Sequence, residues 1–341
     1  MKVAIGYHIQ DGPWGGGNRF ASCLVKALQS EGHSVVFSLN DDDIDIILLT
    51  DPRVRSPNVS FGAGRILRYL FLKNSNAIVL HRINECDERK NTKFMNSLLK
   101  RANYCADHTV FVGSWLKDLP TWSGTLHTPS SVILNGADSE VFNSSGYKRW
   151  NHVEPLRLVT HHWGGNWMKG FDVYSQIDDM LSDGKWRGRM EFTYIGNLPD
   201  GFEFKNAKVL TPMNGRALSE ELSRHHVYVT ASICEPGGNH QNEGGACGLP
   251  LLYRNSGCLP EYCKGYGIQF DSDGFEGALE EMISNYEVYA NQMKFWPHWA
   301  SKTCREYLEL FERLISDRDE IVNKRKLWRN PWLVLRNQLP I

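Results

Sequence analysis

The chain lacks a surplus of either charge: Lys and Arg number 38 against 39 Asp and Glu over 341 residues. Without a basic excess there is no global field to hold a nucleic acid through its phosphates. Long hydrophobic runs are also missing, and no window approaches the ~18 uninterrupted apolar residues of a membrane span. The opening stretch MKVAIGYHIQDG is a short apolar run broken by Gly6 and His8. It reads as a first strand and not as a signal peptide. A cytoplasmic protein is expected. Eight cysteines are present, but none forms a CxxC pair, and the closest two, Cys258 and Cys263, have no second pair to complete a zinc site. Reduced, buried thiols are the expectation.

What is there is enough apolar residue, 41%, for packed cores, over a length that suggests two of them. The first half alternates strand-like and helix-like runs. KVAIGYHI is followed by a glycine-rich loop and by a helix with Phe20, Leu24, Ala27 and Leu28 on one face. HSVVFSL, IDIILLT, NAIVLHRI, DHTVFVG and SSVILNG are further apolar runs, continuous rather than alternating. That pattern suits parallel strands covered on both faces. Around Tyr147–Pro155 the sequence turns polar, and a domain boundary is expected there. The alternation restarts with LRLVTHH, continues through MEFTYIG, NAKVLTP, VYVTAS, PLLYRN and GIQF, and closes with two amphipathic helices. Two successive βα halves imply two doubly wound domains, with ligands outside the carboxyl ends of the strands.

The most informative stretch is SICEPGGNHQNEGGACGLPLL, Ser232 to Leu252. Glu235 sits where the strand VYVTAS ends. Gly237, Gly238 and Asn239 can take unusual backbone angles and present N–H groups with little obstruction. A short helix from about Asn242 would point its positive end at that loop, as a diphosphate requires. Glu243 falls in its first turn, where a carboxylate can accept hydrogen bonds from the vicinal hydroxyls of a ribose. Glu235 can hold a hydroxyl of the sugar beyond the diphosphate.

This Glu235–Glu243 pair, with Ala246, Gly248 and Pro250 behind it, resembles the donor-site motif of the family 4 retaining glycosyltransferases. In that family an acidic residue and a glycine loop precede E-A-x-A-x-G-x-P; here Gly244 stands where the first Ala is usual. HHWGGNWMKGFDVY resembles the family's phosphate-binding segment, with Lys169 on the donor phosphates and Gly170 opening a helix. The family's Arg before that Lys is missing, and His161, His162 or Asn166 could substitute. DGPWGGGNRF resembles the first-domain glycine loop, with Gly16 and Gly17 against the donor. VLHRINECDERKN places His81 as the candidate beside the reaction centre, with Asn84 and Asp87 on the acceptor side. VILNGADSEVF is similar to the segment that closes the first domain.

The resemblance implies an α/β protein of the GT-B fold, with two Rossmann-like doubly wound domains facing across a cleft and a C-terminal helix crossing back to the first. Residues 1–150 would form the acceptor domain, 151–315 the nucleotide-sugar domain, and 316–341 a helical segment packing on the first domain. It implies a metal-independent, retaining hexosyltransferase-like enzyme of glycan, polysaccharide or glycolipid assembly. The nucleotide-diphosphate sugar is then a substrate, with no other cofactor. The expected catalytic residues are Glu235, Lys169 and His81. The expected donor-binding residues are Gly16, Gly17, His162, Gly237, Gly238, Asn239 and Glu243. The acceptor would be a glycan or a lipid-linked glycan. Asp41–Asp43 and Asp271–Asp273 match the bare D-x-D of metal-dependent glycosyltransferases but read as solvated turns. The alternatives are a GT-B nucleotide-sugar epimerase, a non-catalytic nucleotide-sugar-binding protein, and a dehydrogenase reading of the first glycine loop, which lacks G-x-G-x-x-G. The end of the chain interleaves Lys324, Arg325, Lys326, Arg329 and Arg336 with Trp328, Trp332 and Leu333. Packing on the first domain explains it most simply, and contact with the inner face of a membrane is the other reading.

Overall fold

The computed structural model describes residues 1–12 and 15–339. Pro13 and Trp14 of the first glycine loop, and Pro340 and Ile341 of the terminal segment, lie outside the described residues. The chain divides into two compact units, one of residues 1–11, 17–134 and 301–341 and one of residues 12–16 and 135–300.

The first unit runs β1 (Lys2–Ile5), α1 (Gly16–Ser30), β2 (Ser34–Val36), β3 (Ile46–Leu49), α2 (Ala63–Leu72), β4 (Ile78–Ile83), α3 (Met95–Ala102), β5 (His108–Phe111), α4 (Ser114–Lys117) and β6 (Ser130–Val132). Its six strands are all parallel, in the order β2-β1-β3-β4-β5-β6. The continuous apolar runs are explained by burial on both faces. Along β3, Ile46 and Leu48 join one core with Phe20, Leu24 and Leu28 of α1, whereas Ile47 and Leu49 join another with Ile66, Leu67 and Leu70 of α2.

The second unit runs β7 (Leu156–His162), α5 (Phe171–Met180), β8 (Met190–Gly196), β9 (Lys208–Leu210), α6 (Gly215–Leu222), β10 (Val227–Thr230), α7 (His240–Ala246), β11 (Leu251–Arg254), α8 (Leu259–Cys263), β12 (Gly267–Phe270) and α9 (Phe275–Gln292). It too is a six-stranded parallel sheet, ordered β12-β11-β10-β7-β8-β9. The chain winds outward from β7 to β9, then restarts at β10 on the other side of β7. The switch point of this sheet therefore lies between β7 and β10, where open α/β sheets bind their ligands.

The division falls after Leu134, ahead of the polar stretch at 147–155. That stretch is anchored to the second unit through its aromatic residues. Trp150 joins the second unit's core, and its amide donates to the Tyr286 hydroxyl of α9. The chain then returns to the first unit as α10 (Ala300–Ser316), α11 (Arg318–Lys324) and α12 (Pro331–Gln338). Helical spacing puts Cys304, Tyr307, Phe311 and Leu314 of α10 into the same core as α1. Val334 of α12 joins the α2 side. Among the described residues no helix is long and apolar enough to cross a membrane.

Candidate functional site

Three segments meet at the switch point of the second sheet: the end of β7 with its following loop, the loop after β10, and α7. The β7 loop closes with a one-turn helix, Trp167–Lys169, whose start is capped by Asn166 Oδ1 accepting from the Met168 amide. It is tied to the β10 loop by the Ile233 amide, which donates to Met168 O at 2.8 Å. Gly170 then turns the chain into α5 at φ 100°, and a Cβ there would stand 2.5 Å from the Ala231 carbonyl carbon. Only glycine fits both the angle and the approach.

This closure brings Lys169 and Glu235 together. Lys169 Nζ lies 2.6 Å from Glu235 Oε2, and both side chains are largely buried. The Glu235 backbone is in turn fixed by its carbonyl, which accepts from the Cys258 amide at 2.9 Å. A charge-assisted bond in this setting holds the ammonium in one place.

Glu243, in the first turn of α7, is 4% exposed. Its Oε2 is 2.7 Å from Nε2 of His161 at the end of β7, and His161 Nδ1 is 3.0 Å from the Tyr228 hydroxyl on β10. The same hydroxyl accepts from the His161 amide at 3.2 Å. The hydroxyl also lies 3.4 Å from the His161 carbonyl, so the ring is held by Tyr228 on Nδ1 and by Glu243 on Nε2. The Tyr228 ring also accounts for glycine at position 244. A Cβ on Gly244 would meet Tyr228 Cδ2 at 2.4 Å, and one on Gly245 would meet the Trp296 ring at 2.7 Å.

The glycine loop is held by amide side chains acting on its carbonyls. Asn135 Nδ2 donates to Gly237 O and Gln241 Nε2 to Gly238 O, each at 2.6 Å, while Asn242 Nδ2 donates to Asn135 O at 3.0 Å. The other ends of three amides remain unsatisfied: Asn239 Oδ1, Gln241 Oε1 and Asn242 Oδ1 are buried without a partner. Buried acceptors left this way are costly, and an ordered water is their usual partner.

His162 is buried, with Nε2 at 2.8 Å from the Tyr174 hydroxyl and its ring 4.6 Å from that of His240. The structure thus gathers Lys169, Glu235, His162, Gly237, Gly238, Asn239 and Glu243 at one place in the second unit. Tyr228, Asn135, Gln241 and Asn242 belong to the same cluster but were not singled out in the sequence. Only the Gly244 departure hinted at the tyrosine. Among the described residues no group of three or more His, Cys, Asp or Glu side chains is placed to hold a metal.

Of the remaining candidates, Gly16 belongs to the second unit, where a Cβ on it would stand 3.4 Å from the Asn239 side chain, and the others lie in the first unit. Gly16 and Gly17 open α1. His81 is a fully buried residue of β4 whose Nδ1 lies 3.2 Å from Asn103 Oδ1, and its Nε2 has no partner. Burial holds its pKa down at about 4, so the ring is neutral. Asn84 follows β4 and is half-buried. Asp87 is committed to the start of α3, where its carboxylate accepts from the amides of Met95 and Asn96 and from the Thr92 hydroxyl. Burial pushes its pKa up, but these bonds outweigh it and leave the carboxyl below its usual range.

No protein-family model and no curated protein sequence matches the chain. Solved structures do. The sucrose-phosphate synthase of Thermosynechococcus elongatus is 12% identical with a TM-score of 0.66, over 92% of this chain and 99% of that one. Anabaena HepE in complex with UDP is 10% identical with a TM-score of 0.67, over 92% and 100%. AviGT4, a glycosyltransferase involved in avilamycin A biosynthesis, is 14% identical with a TM-score of 0.59, over 93% and 98%. At these identities the likeness establishes the fold, which is GT-B.

Proposed function

We propose that the protein is a glycosyltransferase that moves a sugar from a nucleoside-diphosphate sugar to an acceptor hydroxyl, with retention of configuration. The observation that carries this reading is the convergence of Lys169–Glu235 and His161–Glu243 at the switch point of one sheet. Among the structures of like fold, HepE is solved with UDP and with UDP-glucose. In the proposed complex Glu243 accepts from the ribose hydroxyls. Lys169 sits against the diphosphate, where negative charge grows as the glycosidic bond breaks, and the amides of Gly237, Gly238 and Asn239 share that charge. Glu235 positions the Lys169 ammonium and holds a hydroxyl of the transferred sugar. No cofactor beyond the donor is required, and the acceptor is a glycan or lipid-linked glycan.

Thermal shifts of the wild type, Glu243→Ala and Lys169→Ala with UDP, ADP, GDP and dTDP test this reading. One nucleotide at ~100 times its dissociation constant should add about 2.7 kcal/mol. That gain should vanish in both variants. Stabilisation by none of the four, or by all equally in wild type and variants, overturns the donor assignment. Product analysis with the matching nucleotide sugar then separates transfer from epimerisation, because only transfer depends on an added acceptor.

A further inference from the structure

In the first unit, α2, α3 and α12 surround a cavity of about 240 Å³. Its charged lining is of one sign: Arg65, Arg68 and Arg101 reach it, and no Asp or Glu does. Arg65 donates to the Ser60 carbonyl at 3.0 Å and Arg68 to Gln338 Oε1 at 2.5 Å, both neutral acceptors. Arg101 Nε is buried without a partner. Burial, and then the like charge of Arg336, pull the Arg101 pKa down. Among the described residues no carboxylate pairs with any of the three. Arg65 and Arg68 are exposed, and a cavity that presents three guanidinium groups and no carboxylate suits an anion.

Exposed apolar side chains line this cavity and others stand on α12. Leu339 lines it and is 62% exposed, while Trp332 and Leu335 on α12 are 75% and 58% exposed. Trp328, ahead of α12, is exposed and stacked on Phe71 of α2 at 4.8 Å between ring centroids, and Leu72 is also exposed. From Ile321 to Leu339 the chain has five cations and no Asp or Glu; Arg325 is spent on Asp107 and Lys324 on Glu320, which leaves Lys326, Arg329 and Arg336. Indole and leucine side chains set among arginines match the boundary between lipid headgroups and acyl chains.

We propose that this face docks on an anionic phospholipid bilayer, with a lipid phosphate seated among Arg65, Arg68 and Arg101 and with Trp328, Trp332 and Leu335 entering the interface. The site lies wholly within the first unit and stands or falls independently of the donor reading. Anionic charge in the bilayer is the complement of a cavity lined by three arginines and no carboxylate.

The test is co-sedimentation of the full chain with vesicles of phosphatidylcholine, alone or mixed with phosphatidylglycerol. Binding is expected to the mixed vesicles only and to weaken with added salt. Arg68→Gln and Arg101→Gln should each lower the partition coefficient about fivefold, the loss expected for one interfacial charge. Trp332→Ser should also lower it. Lys302→Gln, an equal charge change on α10, should not. Circular dichroism shows that each variant retains its fold. Equal binding to both vesicle types, binding to neither, or arginine variants indistinguishable from Lys302→Gln overturns the proposal. A parallel arm measures thermal shift with inorganic phosphate. Arg101-dependent stabilisation there without vesicle binding assigns the cavity to free phosphate and overturns the docking.

Discussion

His161 Nε2 stands 2.7 Å from Glu243 Oε2, with the Tyr228 hydroxyl 3.0 Å behind it on Nδ1. The imidazole is held between the tyrosine and the carboxylate. His161→Ala should weaken binding of the preferred nucleoside diphosphate by about 1.5–3 kcal/mol, the worth of a hydrogen bond to a charged group. Adding Glu243→Ala to His161→Ala should cost less than the sum of the two, because the residues act as a pair. Titration calorimetry on the four proteins of the cycle measures the coupling. Strict additivity would show that His161 does not position Glu243.

Gly244 and Gly245 should resist the change to alanine that helix propensity favours. Alanine gains about 1 kcal/mol over glycine in a helix interior. Here each new methyl enters an aromatic ring, Tyr228 at 2.4 Å or Trp296 at 2.7 Å. Overpacking of this kind costs about 1–3 kcal/mol. Urea midpoints should fall for both variants. A rise for Gly244→Ala would mean that the Tyr228 ring yields.

Arg325 clamps the terminal segment onto the first sheet. Its guanidinium pairs with both oxygens of Asp107, at 2.8 and 2.6 Å, and donates to the carbonyls of Ser75 and Ala77. Both side chains of the pair are nearly inaccessible. Arg325→Ala should destabilise the first unit by about 3–5 kcal/mol, because it strands a buried carboxylate. Asp107 is already lifted by burial above the usual carboxylate range. Hydrogen exchange should show α11 and α12 losing protection first. Unchanged exchange in those helices would contradict the clamp.

Acid should weaken the first unit before the carboxylates titrate fully. The pKa of His81 falls from the usual 6.5 to about 4 because burial excludes the charged ring. Between those values the unfolded chain binds the proton and the folded chain does not, so stability drops as pH falls through that window. The full effect is on the order of 3 kcal/mol below pH 4. His81→Asn should flatten the decline between pH 6.5 and 4, as read from denaturant unfolding at fixed salt.

Much of the fold was legible in the order of apolar runs. Strands such as IILL and VYVT are continuous because both faces of their sheets are covered, and that signal is local. The domain boundary was not legible, because Tyr147 and Trp150 sit in a polar stretch and find their partner Tyr286 over a hundred residues later. In the candidate site, Glu235 and Glu243 could be picked out by their spacing around a glycine loop. Their partners could not. Nothing local says that His161 meets Glu243, or that Asp87 spends its oxygens on α3.

The sequence by itself determined the element order, the two parallel sheets and the loops at the ends of their strands, since periodicity and glycine placement act over a few residues. Only the tertiary structure decided which charges pair, which ring forbids a methyl at Gly244, and which arginines share a cavity without a counter-ion. The reason is physical. Pairing and burial depend on approaches of a few ångströms between residues far apart in the chain, and those distances exist only after the sheets have formed.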